Sequence, residues 1–115
     1  MMNPLLKETI KTLKDASRKS GQNIWAAMAE GLDKPKRRRV SVNLSRINRH
    51  TQPGDIVAVP GKVLASGALD HPVTVAAYSF SDGARKKIIQ TEGKAVSLTS
   101  LIEEQVEPSK IKILK

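Results

Sequence analysis

The sequence predicts a single compact mixed α/β domain spanning residues 1–115. Three observations carry that reading. Apolar residues recur at helical spacing up to Leu32, and from Val40 onward short apolar runs and alternating stretches replace that spacing. Gly, Pro, Asn or Ser stands at nearly every change of pattern, which gives two helices followed by short strands alternating with short helices. At 115 residues the chain can bury one modest core. Trp, Tyr and Phe occur once each, so that core must be built of Val, Ile, Leu and Ala.

Asn3-Pro4 reads as an N-cap with proline at the first helical position. Leu5, Leu6, Ile10, Leu13 and Ala16 then form one face, Arg18 and Lys19 suit the last turn, and Gly21 can stop the helix. A second helix fits Asn23 to Leu32, with Ile24, Trp25, Met28 and Leu32 as its stripe and Pro35 ending any continuation. Trp25 belongs to that stripe, so core packing is its expected role rather than stacking on a base. After a basic loop, "VSV" is a short strand, and Asn43 can cap a brief helix that turns Leu44 and Ile47 inward.

"QPGD" (52–55) signals a turn, and "DIVAVPG" is a buried strand closed by Pro60-Gly61. "KVLASGAL" has no decided form. "PVTVAAYSF" is the longest strand candidate, with Val73, Val75 and Ala77 on one face and Thr74, Ala76, Tyr78 and Phe80 on the other. Ser81 can cap the helix "DGARKKIIQ", which Gly93 would end. "AVS" is a short strand, "LTSLIEEQV" a helix starting from Ser97, and "KIKILK" a final strand after Pro108. The organisation is therefore N-terminal helices over 1–33, a basic segment over 34–50 and an α/β core over 51–115.

The charge is unevenly placed. The net is +9, and residues 1–50 hold twelve Lys or Arg against four Asp or Glu, a net of +8; the remainder holds eight against seven. "KPKRRRVSVNLSRINRH" (34–50) carries Lys34, Lys36, Arg37, Arg38, Arg39, Arg46 and Arg49 with no acid among them. Seven cations interleaved with residues that must be buried form a rigid basic wall, not a solvated tail, and a polyanion relieves their mutual repulsion. With three aromatics in all, base stacking cannot dominate, so binding through phosphates and shape is expected, which suits a folded RNA. Reversing Arg37, Arg38 and Arg39 to Glu is expected to abolish assembly with that partner while leaving the isolated fold largely intact.

Other motifs are weaker. "VPGKVLASG" (59–67) places Gly-Lys first and no hydroxyl after Lys62, so it is no nucleotide-binding loop; Gly61 and Gly67 can instead let backbone approach RNA closely or supply positive-φ turns. Lys14, Arg18, Lys19, Arg85, Lys86 and Lys87 are possible secondary contacts, the last three because cations near a helix start invite an external anion. His50 and His71 are too few for a metal site without cysteine, and Ser66, Asp70 and His71 are sequence neighbours with no claim to a triad. No clustered carboxylates or paired histidines offer catalysis, so no enzyme activity and no cofactor are expected. The Asn43-Leu44-Ser45 glycosylation pattern is discarded for a chain expected in the cytoplasm, since no apolar run approaches the ~18 residues of a membrane span and no secretory leader is evident.

Four segments, "KPKRRRVSVNLSRINRH", "DIVAVPGKVLASGAL", "VTVAAYSFSDGARKKI" and "EGKAVSL", together resemble the family of large-subunit ribosomal protein eighteen of archaea and eukaryotes, related to bacterial ribosomal protein fifteen. The resemblance implies an irregular superhelix of short strands and helices after the N-terminal helices. It implies a structural constituent of the large subunit, without enzymatic duty, whose partners are large-subunit ribosomal RNA and neighbouring ribosomal proteins. Lys34, Lys36, Arg37, Arg38, Arg39, Arg46 and Arg49 match the family's basic segment, and Pro60, Gly61, Lys62 and Gly67 its glycine-bracketed loop. No membrane, small-molecule substrate or homo-oligomer is expected. The alternative is a free RNA- or DNA-binding regulatory or architectural protein.

Overall fold

A computed structural model describes residues 4–21, 23–34, 39–104, 106 and 108–114. Lys36, Arg37, Arg38, the expected N-cap at Asn3 and the expected stop at Pro35 lie outside the described residues. The elements follow in order as α1 (Pro4–Ser20), α2 (Asn23–Leu32), β1 (Val40–Asn43), α3 (Leu44–His50), β2 (Ile56–Leu64), β3 (Thr74–Phe80), α4 (Asp82–Gln90), β4 (Lys94–Ser97), α5 (Leu98–Glu103) and β5 (Ile111–Ile113). All strand pairs are parallel, in the order β1-β2-β3-β4. β5 also pairs with β2, along Ile56–Ala58, while β1 pairs with Gly61–Leu64 of the same strand.

Alternation along the strands sorts the core into two layers. On one face Ala58 and Ala76 lie under Leu6, Ile10 and Leu13 of α1, Trp25, Met28 and Leu32 of α2, and Leu98 and Leu101 of α5. On the other, Val57, Val59, Val75 and Ala77 meet Leu44 and Ile47 of α3 and Ala84 and Ile88 of α4. Trp25 is buried with this stripe, as its spacing predicts. Val73, Val75 and Ala77 share a face, and Ala76 and Tyr78 take the other. Phe80 departs from the alternation and packs with the second cluster, beyond a register shift between Val59 and Lys62.

That shift corrects one boundary. β2 does not close at Pro60-Gly61 but runs through them to Leu64, with two residues opposing Tyr78 alone. Proline lacks the N–H a regular ladder needs, and a bulge tolerates it. Two caps also differ from expectation. Asn43 and Ser97 stand extended at their N-cap positions, yet neither side chain makes a capping bond, whereas Ser81 accepts one from Ala84 N. Gly93 does not end α4 by its own conformation; Glu92 takes the positive φ there, at 65°. The described part of the "LTSLIEEQV" helix ends earlier, at Glu103.

The connection from β2 to β3, residues 65–73, contains no helix. Parallel neighbours require the chain to return along the strand's length, about 26 Å for eight residues. The ten Cα steps from Leu64 to Thr74 reach at most about 33–36 Å, so the crossover has little length to spare for a helix of its own. Its neighbours supply its bonds: Ser45 N donates to Ser66 O at 3.1 Å and Gly54 N to Pro72 O at 2.8 Å. Asn48 Oδ1 accepts from Asp70 N at 3.2 Å. Lys87 Nζ donates to Ala65 O at 2.8 Å and to Gly67 O at 3.0 Å. Leu69 and Val73 anchor it in the second core cluster.

Candidate nucleic-acid interface

The basic segment enters the fold at Arg39, whose Nε donates to Leu32 O at 3.2 Å and Lys34 O at 3.0 Å. A guanidinium has five N–H donors, so this fixes its plane at the end of α2 and leaves the terminal nitrogens for an anion. Reversing Arg39 to Glu would remove a donor from these two backbone carbonyls, so that change bears on local structure as well as on charge. Arg46 and Arg49 follow on α3, the first half-buried and the second exposed in the last turn. Lys34 is exposed just past α2.

Gly61 and Gly67 serve two different geometries. A Cβ on Gly61 would lie 2.0 Å from Val40 O, so β1 can pair closely with the bulged strand only at glycine. Gly67 has φ 87°, and a Cβ there would stand 2.3 Å from Ser45 Cβ at the start of α3. Ser66 O accepts from Ser45 N at 3.1 Å, and Lys87 binds the other side of the same turn. The structure thus gathers Gly67, Lys87 and the N-terminus of α3 at one place.

A second grouping forms where β1, β2 and β3 lie side by side. Arg39, Ser41, Gly61, Lys62, Tyr78 and Ser79 line a cavity of about 290 Å³. Ser41 pairs with Lys62 and Lys62 with Ser79, placing the lysine between two hydroxyl-bearing residues. Sequence reading singled out Arg39, Gly61 and Lys62 but missed Ser41, Tyr78 and Ser79, which only the bulged register brings alongside.

The secondary candidates are dispersed. Lys14 sits 3.9 Å from Asp33 and Arg18 3.2 Å from Asp15, both on the α1–α2 layer, with Lys19 exposed nearby in sequence. They line a groove of about 360 Å³ together with Lys7 and Lys11 (Lys19 is not part of it). Arg85 lies over the Phe80 ring, 5.2 Å from its centroid, and Lys86 is exposed on α4. These α4 cations belong to the opposite layer from α1.

His71 is not isolated. Its Nδ1 lies 2.8 Å from Asp70 Oδ1 and its Nε2 2.7 Å from Thr51 Oγ1. The Thr51 hydroxyl is buried and donates to Ile47 O at 2.7 Å, so its proton is committed to the backbone of α3. Ser66 has no part in this chain of bonds. The His71 hydrogen bond, helped by Asn48, holds the Asp70 carboxyl below its ordinary range. Among the described residues no group of three or more His, Cys, Asp or Glu could hold a metal, and no helix is long and apolar enough to cross a membrane.

Comparison with known proteins gives this arrangement its context. The family described as ribosomal proteins 50S-L15, 50S-L18e and 60S-L27A matches residues 21–96, which include α2 through most of β4. A protein of Haloarcula marismortui named large ribosomal subunit protein eL18 is 48% identical over 98% of this chain and 97% of its own length. Proteins of the same name from Methanothermobacter thermautotrophicus and Sulfurisphaera tokodaii are 44% and 43% identical, over 98% and 92% of this chain and 93% and 90% of their own lengths. The chain belongs to the family of ribosomal proteins 50S-L15, 50S-L18e and 60S-L27A.

Proposed function

We propose that this protein is a structural constituent of the large ribosomal subunit, working in the cytoplasm, that binds large-subunit ribosomal RNA and stabilises its folded packing. The observation that carries the reading is the near full-length similarity to relatives named for that subunit. The charge distribution supports it physically: cations on rigid elements meet phosphates without losing the conformational freedom a flexible tail would lose. Lys34, Lys36, Arg37, Arg38, Arg39, Arg46, Arg49 and Lys62 would carry the phosphate contacts, with the backbone at Gly61 in the β2 bulge and at the Gly67 turn allowing close approach. Lys14, Arg18, Lys19, Arg85, Lys86 and Lys87 would make further contacts at the periphery. Neighbouring ribosomal proteins would complete its surroundings, the chain itself acting as a monomer without catalytic duty.

Arg49 and Lys62 test this directly, because both are exposed and neither has a hydrogen bond holding the fold among the described residues. The double variant Arg49→Glu/Lys62→Glu should keep the thermal midpoint of the isolated protein. It should nevertheless be depleted from the large-subunit peak of a sedimentation profile. Undiminished incorporation would refute the assignment of these cations, and absence of the wild-type chain from that peak would refute the function.

A further inference from the structure

The cavity beside β1, β2 and β3 has a chemistry that phosphate binding alone does not require. A phosphate needs donors and open approach. Here Tyr78 and Val40 provide apolar wall, Ser41 and Ser79 provide hydroxyls, and Arg39 and Lys62 provide charge at the same place. Among the described residues that line it, none is acidic. Its volume of about 290 Å³ falls just under the ~300–1,000 Å³ of small-molecule sites, so it holds one nucleotide-sized group and no more. The bulge creates it: Pro60 and Gly61 both oppose Tyr78, and the ladder resumes only at Lys62 and Ser79, close to the carboxyl ends of β2 and β3.

We propose that this cavity receives the base of a single unpaired RNA nucleotide. The base lies against Tyr78 with its edge toward Ser41 and Ser79, and the flanking phosphates rest on Lys62 and the terminal nitrogens of Arg39. A base inside a regular helix is stacked and unavailable, so the nucleotide comes from a bulge or loop. The pre-fixed guanidinium matters here. With Nε tied to Leu32 O and Lys34 O, Arg39 presents its remaining donors without a further loss of rotamer freedom. This proposal rests on RNA being the partner.

The experiment uses the full chain and three hairpin RNAs of equal length, each closed by a non-nucleotide linker: fully paired, carrying one bulged nucleotide, and carrying the bulge with its base replaced by an abasic analogue. Stacking one base contributes roughly 5- to 150-fold in affinity, so the bulged hairpin should bind tighter than the other two by a factor in that range. Ser41→Phe fills the cavity from an exposed strand position and should erase the preference among the three hairpins. Tyr78→Phe should retain the preference and Tyr78→Leu lose it. Equal binding of all three hairpins by the wild type overturns the base site and leaves RNA binding standing. Failure to bind any of them at low salt overturns both. A photoreactive side chain in place of Ser41, in assembled subunits, should crosslink to one RNA nucleotide; a crosslink to a neighbouring protein overturns the proposal.

Discussion

Asp55 shows how a single carboxylate joins distant parts of this chain. Its Oδ2 accepts from Lys112 Nζ of β5 at 2.8 Å and from Gln52 N at 2.9 Å, closing the turn before β2. These bonds, the Lys112 one foremost, hold its carboxyl below the ordinary range of an aspartate. A carboxyl whose folded pKa is depressed adds stability above its unfolded pKa and loses it as pH falls through the folded value. Asp55→Asn should therefore lower the urea midpoint at pH 7, and the pH-dependent part of that loss should shrink below about pH 3.9 and vanish in stronger acid. A difference that stays constant from pH 7 to pH 2 would refute the linkage. None of this was legible in the sequence, where Asp55 is one residue of a turn signal and its partner stands 57 positions away. The same holds for Lys87, which reads as a cation awaiting an anion but donates to two carbonyls of the crossover. A basic residue in a basic chain carries no mark of whether its partner is a phosphate or the protein's own backbone.

Helices and strands were legible because a packed face imposes a period. The stripe of α1 and α2 and the two-residue alternation of β3 predicted the faces that the two core clusters use. Segments without a period were not. "KVLASGAL" divides between the end of β2 and the crossover, and Pro60-Gly61 suggested an end where the strand only bulges. The crossover shares hydrogen bonds with side chains of α3 and α4, so its stability should respond to residues outside it. Thr51→Val keeps the shape of the buried side chain but leaves His71 Nε2 without its partner at 2.7 Å. An unsatisfied buried group costs about 1–3 kcal/mol, and the urea midpoint should fall accordingly. Hydrogen exchange should accelerate at the amides of Asp70 and Gly54, which bond to Asn48 Oδ1 and Pro72 O. Acceleration spread evenly over α1 and α2 would mean that Thr51 supports the whole domain and not this segment.

At the scale of the molecule, the +8 net charge of residues 1–50 was plain in the sequence, and its division between layers was not. The sheet separates the cations of α1 from those of α3 and α4, and the two groups differ in what already neutralises them. Lys14 and Arg18 stand beside Asp33 and Asp15, whereas Arg49 and Lys62 have no carboxylate within salt-bridge distance among the described residues. Counterions condensed on RNA are released when a cation takes their place, and a cation already paired with an acid displaces fewer of them. The two groups should thus weigh differently in the salt dependence of binding. With eight contacts, seven from the segment 34–50 and one from Lys62, the logarithm of affinity should fall with the logarithm of salt at a slope of about −6 to −7. Arg49→Gln/Lys62→Gln should make that slope shallower by about two, and Lys14→Gln/Arg18→Gln should change it by much less than one. The measurement is a titration of one structured RNA at four or five salt concentrations with each protein. Equal changes in slope for the two pairs would mean that Lys14 and Arg18 meet RNA as fully as Arg49 and Lys62 do, despite the carboxylates beside them.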